Sequence, residues 1–147
     1  MPYTLGGGTG DKFGISCGSI GDLDGDGVPD VLVGAYADDD GGNDSGAVYV
    51  LFLKTDGDVQ SVQKISNYYG HMPYNIGSSD YFGWSSDSIG DLDGDGVVDF
   101  TELSTGLTVL CGGQRAGASR AARRGRTRRA QPAAHLVARA AHARASL

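Results

Sequence analysis

One block of sequence occurs twice. Residues 13–30 read FGISCGSIGDLDGDGVPD, and residues 82–99 read FGWSSDSIGDLDGDGVVD, with 14 of 18 positions identical at an offset of 69. Asp11 and Asp80 and, further upstream, Gly8 and Gly77 keep the same offset. A period of this length means that one structural unit is made and then begun again. The units so defined are residues 8–81, a complete repeat, and residues 82–103, the start of a second. Residues 104–114 read as irregular backbone.

Within the first unit, short β-branched and aromatic runs alternate with turn residues. Strands are expected over 13–20, 30–36, 46–53 and 61–66. The breaks between them are the Asp/Gly loop at 21–29, the DDDGGNDS loop at 38–45 and a Thr55-Asp56-Gly57-Asp58 hairpin. Four short antiparallel strands in about 70 residues match one β-propeller blade. The expected fold class is all-β: one complete four-stranded blade, the opening of a second, and a disordered or partly helical C-terminal tail. A generic β meander or sandwich is the plainer alternative. A lone unit of this size buries only about 60% of its unfolded surface, so marginal stability in isolation is expected.

The repeated Asp/Gly loops carry the chemistry. The first sets Asp22, Asp24 and Asp26 at alternate positions, then Gly27, Val28 and Asp30. The second sets Asp91, Asp93 and Asp95, then Gly96, Val97 and Asp99. Alternate carboxylates in a tight loop turn toward one point. The sixth-position Gly permits the turn, and the seventh-position backbone carbonyl can face inward. Two carboxylates about 5 Å apart repel by roughly 3 kcal/mol at an effective dielectric near 20, so their convergence calls for a cation. Hard oxygen donors in a flexible loop favour Ca2+ over Mg2+. The alternative is an open, solvated acidic turn. The second loop also fits an EF-hand pattern over residues 91–102, with Glu102 at the twelfth position. That reading requires a helix on each side, and YFGWSSDSIG is a poor helix former.

Phe13-Gly14, the loop GDLDGDGVPD, Val33-Gly34-Ala35-Tyr36 and Gly46-Ala47-Val48-Tyr49-Val50 together resemble the FG-GAP repeat. This is the blade unit of integrin alpha-chain propellers. Tyr36 stands where the family name has Pro. The resemblance covers about residues 8–99. It implies Ca2+ in the loop between the first two strands of a blade, with Asp22, Asp24, Asp26, Val28, Asp30, Asp91, Asp93, Asp95, Val97 and Asp99 as ligands. It also implies an extracellular or cell-surface setting, and a protein or glycan ligand recognised through a larger propeller. A propeller of that kind has about seven blades, so the chain is expected to be a fragment of one. An alternative makes it a scaffold piece of a propeller enzyme or lectin.

Charge divides the chain. Residues 1–114 carry three Lys and 18 acidic residues, a net of −15, whereas residues 115–147 carry nine Arg and no acid. The tail holds 12 Ala in 33 positions and no Lys. An alternate reading frame of GC-rich coding sequence gives such a composition. A basic arm for nucleic acid, or an Ala-rich helix around 135–145, are the competing readings. Nucleic acid is not the expected partner. No apolar run is long enough for a membrane span, and no signal peptide is visible. No enzyme is expected, since the repeated Ser residues have no His–Asp pair to activate them. Cys17 is expected in a half-buried strand position. Phe13, Phe82 and Trp84 read as packing residues rather than as a ligand platform.

Overall fold

A computed structural model describes residues 10–72, 75–92, 94, 96–104, 107–114 and 135–140, the last two segments as backbone. The fold is all-β, with no helix among the described residues. β1 (Cys17–Gly21), β2 (Asp30–Ala35), β3 (Ala47–Leu53) and β4 (Val59–Ile65) form one antiparallel sheet in chain order. β5 (Ser85–Gly90), β6 (Asp99–Ser104), β7 (Leu107–Gln114) and β8 (His135–Ala140) form a second sheet with the same order.

The repeat survives at the level of register. Cys17 faces Val33 across β1 and β2, and Ser86 faces Glu102 across β5 and β6, again 69 residues on. Both ladders slip by one residue just before the acidic loop, between Ser19 and Gly21 and between Ser88 and Gly90. Identical local sequence therefore builds identical hairpins, irregularity included.

Several boundaries move from the sequence expectation. The strand expected from residue 13 starts at Cys17: a turn in which Ile15 N–H donates to Lys12 O interrupts the ladder there, although Gly14 N–H and Ser16 O still bond Gly34 of β2. Cys17 is exposed rather than half-buried. Residues 107–114, expected to be irregular, form β7; their alternation of Leu, Thr and Val suits a hairpin return along β6. The Ala-rich helix considered around 135–145 is not formed at 135–140, where the backbone pairs with β7 as β8. A free strand edge is a row of unmet donors and acceptors, and cross-strand pairing at that edge satisfies them. The second sheet therefore extends beyond the opening hairpin. The rest of the tail lies outside the described residues.

The core lies between the sheets. Leu32, Val48, Val50 and Phe52 alternate along β2 and β3 and put one face of the first sheet against Phe82, Val97 and Phe100 of the second repeat. Ile20, Leu23, Ile65 and Ile76 complete that cluster. The opposite face of the first sheet carries Val33, Ala35, Ala47 and Tyr49, flanked by Val31, Leu51 and Val62. There Lys64 is buried between two carboxylates, its ammonium 2.7 Å from both Asp38 and Asp40. Burial alone would lower its pKa, but the hydrogen bonds to Asp38 and Asp40 more than offset this and raise it. The Tyr49 hydroxyl donates to Asp38 and is pushed up to about 12, chiefly by burial.

The two repeats touch backbone to backbone. Gly46 forms a parallel bridge with Phe82, and Phe82 N–H donates to Ser45 O at 2.9 Å. A Cβ at Gly34 would collide with Gly83 O and Ser16 Oγ, so this approach needs glycine. No helix among the described residues is long and apolar enough to cross a membrane.

Candidate metal centre

The acidic loop of the first repeat leaves β1 at Gly21 and enters β2 at Asp30. Its shape comes from its own carboxylates. Asp22 accepts N–H groups from Gly25, Asp26 and Gly27 at 2.6, 3.0 and 2.9 Å. Asp24 accepts from Asp26 N–H, and Asp26 from Val28 N–H. Gly27 takes the positive φ of +91° that the sixth position was expected to need. Asp30 is fully enclosed; one oxygen accepts Leu23 N–H at 2.8 Å and the other Leu53 N–H at 3.2 Å. It ties the loop to the far end of β3.

This wrapping brings one oxygen from each of Asp22, Asp24 and Asp30 within 4.8 Å of the others. Asp26 is not in that group; its carboxylate caps Val28 N–H instead. The crowding has an electrostatic signature. The Asp24 pKa is raised by burial first and then by the charges of Asp26 and Asp22, against the Asp26 N–H that lowers it. The Asp30 pKa is likewise raised, mainly by burial, with Asp24 and Asp26 adding and the two backbone donors opposing. Acids pushed toward protonation in a shared pocket are acids that a cation would relieve.

The second loop repeats the framework. Asp91 accepts Gly94 N–H at 2.7 Å and Gly96 N–H at 2.8 Å, matching Asp22 with Gly25 and Gly27. Asp99 accepts Leu92 N–H at 2.7 Å, matching Asp30 with Leu23. The other Asp99 oxygen is buried with no hydrogen-bond partner. Asp93 and Asp95 lie outside the described residues. Val97 buries its side chain in the core between the sheets.

Strands flank this loop on both sides, and Glu102 sits within β6 opposite Ser86. The EF-hand reading of residues 91–102 is thereby overturned. In place of its helices, Ser85–Gly90 before the loop and Asp99–Ser104 after it pair with each other as strands.

Two groups of residues escaped the sequence reading. A buried Lys64 with Asp38, Asp40 and Tyr49 left no motif, since its members lie on three segments. Nor did the enclosure of Glu102. The aromatic residues divide as well: Phe82 is core, Phe13 packs edge-on to Tyr49, and Trp84 packs on Tyr36 with ring centroids 4.6 Å apart. They form no common platform.

Comparison with known proteins agrees with this geometry. The family model described as FG-GAP repeat matches residues 18–51, which run from β1 through most of β3 and include the first acidic loop. The chain is 37% identical to integrin alpha-10 of Homo sapiens over 101 residues, 67% of its own length. The match spans 8% of that relative's length.

Proposed function

We propose that this chain, which carries an FG-GAP repeat related to those of integrin alpha chains, holds Ca2+ in the loops between the first two strands of its repeats. The observation that carries the reading is the meeting of Asp22, Asp24 and Asp30 within 4.8 Å in a loop already shaped by backbone donors. The donor set is all oxygen, as Ca2+ prefers. The buried, unpartnered oxygen of Asp99 fits a second such centre. Bound there, the ion would supply the positive charge that the carboxylates lack.

The chain's own residues do the rest. Asp22 and Asp91 organise their loops through N–H groups, so each hairpin has one shape. Asp30 and Asp99 anchor the loops to β2 and β6. The proposed ligands are Asp22, Asp24, Asp26, Val28 and Asp30 in the first loop and Asp91, Asp93, Asp95, Val97 and Asp99 in the second. Asp26 would have to exchange its bond to Val28 N–H for the ion. The role is structural: a fixed blade geometry within a larger propeller that recognises a protein or glycan, at the cell surface or outside the cell, without catalysis. The relation to integrin alpha-10 supports this setting.

A calorimetric Ca2+ titration of the full chain tests the reading, with Mg2+ as the competitor. Saturable Ca2+ binding is expected, weakened at least tenfold in Asp24→Asn, because one charged ligand is lost. Absence of binding up to millimolar Ca2+, or equal binding in wild type and variant, would overturn it.

A further inference from the structure

Glu102 is fully enclosed, and neither of its carboxylate oxygens has a hydrogen-bond partner of normal geometry. It stands on β6, opposite Ser86 of β5. Val33 occupies the same place in the first repeat, opposite Cys17. One repeat thus buries an apolar side chain at this position, and the other buries an acid.

The acid backs the seam between the repeats. Ser86 Oγ lies 3.0 Å from Ser16 Oγ of the first repeat, and Ser16 also donates to Gly83 O at 3.1 Å. Gly83 in turn runs against Gly34. The groups that face Glu102 are the Ser86 hydroxyl from β5 and the Gly83 N–H from the turn before it, with Ser16 behind Ser86 on the first-repeat side. Among the described residues, no Lys, Arg, His or second carboxylate acts on it. An ionised carboxylate withdrawn from water needs a cation or several donors. Ser86 has one hydroxyl proton and two neighbours within reach of it, Glu102 and Ser16, and beyond it only the Gly83 N–H faces the acid. A neutral carboxylic acid asks for less, since it brings its own donor.

We propose that Glu102 is carried in the seam as the neutral acid, and that loss of its proton loosens the second repeat from the first. The seam is then a proton-controlled latch. Burial acts in the same direction, pushing the Glu102 pKa from 4.5 to about 8 against the weak pull of Ser86 and Gly83. The folded chain keeps a proton that the unfolded chain releases above 4.5. Its contribution to stability is complete below that pH and is lost as pH rises toward about 8.

Trp84 is the single Trp of the chain and packs on Tyr36 across this seam, so its emission reports the latch. The experiment compares the full-length wild type with Glu102→Gln and Glu102→Val between pH 6 and 9. The valine variant copies the first repeat's own solution at Val33. A reversible red shift of Trp84 emission is expected in the wild type, with its midpoint near that of Glu102, and no shift in either variant. A flat wild-type profile, or the same shift in a folded variant, would overturn the proposal. Carbon-13 NMR of the Glu102 carboxyl reads the titration directly in the wild type, whatever the variants do. A midpoint below pH 6 would also overturn it.

Discussion

The first and second repeats share a loop, a register and a bulge, yet their equivalent residues live in different surroundings. Leu23 is 5% exposed and its counterpart Leu92 is 67% exposed. Ile20 is fully buried, whereas Ile89 is exposed. The reverse holds at the start of each unit: Phe13 is exposed and Phe82 is buried. All three contrasts have one cause. The second repeat lies over one face of the first, covering Ile20 and Leu23 and burying its own Phe82 in the process. Identical sequence is therefore core or surface according to what the neighbouring repeat does. A second contrast concerns the seam glycine. Gly34 lets Gly83 approach, and the residue one period on from Gly34 is Leu103.

The comparison can be broken at several points. The largest effect is expected from Lys64→Met, which strands Asp38 in the interior of the first repeat. A loss of about 3–5 kcal/mol is expected from an uncompensated buried charge. Denaturant unfolding measures it, and a loss below about 1 kcal/mol would show that the buried network matters no more than a surface pair.

Truncating one residue in each repeat sharpens the contrast between them. Leu23→Ala is expected to cost about 2–4 kcal/mol, since it opens a cavity beneath the second repeat. Leu92→Ala is expected to stay within about 0.5 kcal/mol, because its side chain already meets water. Equal losses would mean that something covers Leu92 in solution. The smallest difference is expected at the loop anchors in a chelator. Asp30→Asn disturbs two hydrogen bonds, to Leu23 and Leu53, and Asp99→Asn one, to Leu92. The first should cost about 1 kcal/mol more, read from the same unfolding curves. An equal or inverted order would show that the two loops are not anchored differently.

Much of this molecule was legible in the chain. The spacing of Asp22, Asp24 and Asp30 marked the cluster that the fold assembles, and the all-β class followed from short β-branched runs between turn residues. The start of the first strand shifted by a few residues because the positive φ of Lys12 and Gly14 makes a turn that breaks the regular ladder there. The later strands of the second sheet were missed because β7 and β8 match nothing in the first repeat; the short Leu/Thr/Val run of β7 and the Ala/Arg run of β8 become strands by pairing with their neighbours. Asp26 carried the same motif signal as Asp24, yet its carboxylate turns to its own loop backbone.

Local chemistry alone set the hairpins. A carboxylate at the first loop position, glycine at the sixth and a carboxylate at the ninth close the same hydrogen bonds in both repeats, since every partner lies within a few residues. Burial followed a different rule. Whether Leu92 meets water, whether Glu102 keeps its proton and whether Lys64 finds Asp38 depend on segments tens of residues away. Hydration and charge respond to everything within reach in space, and only the packing of one sheet on the next decides what is within reach.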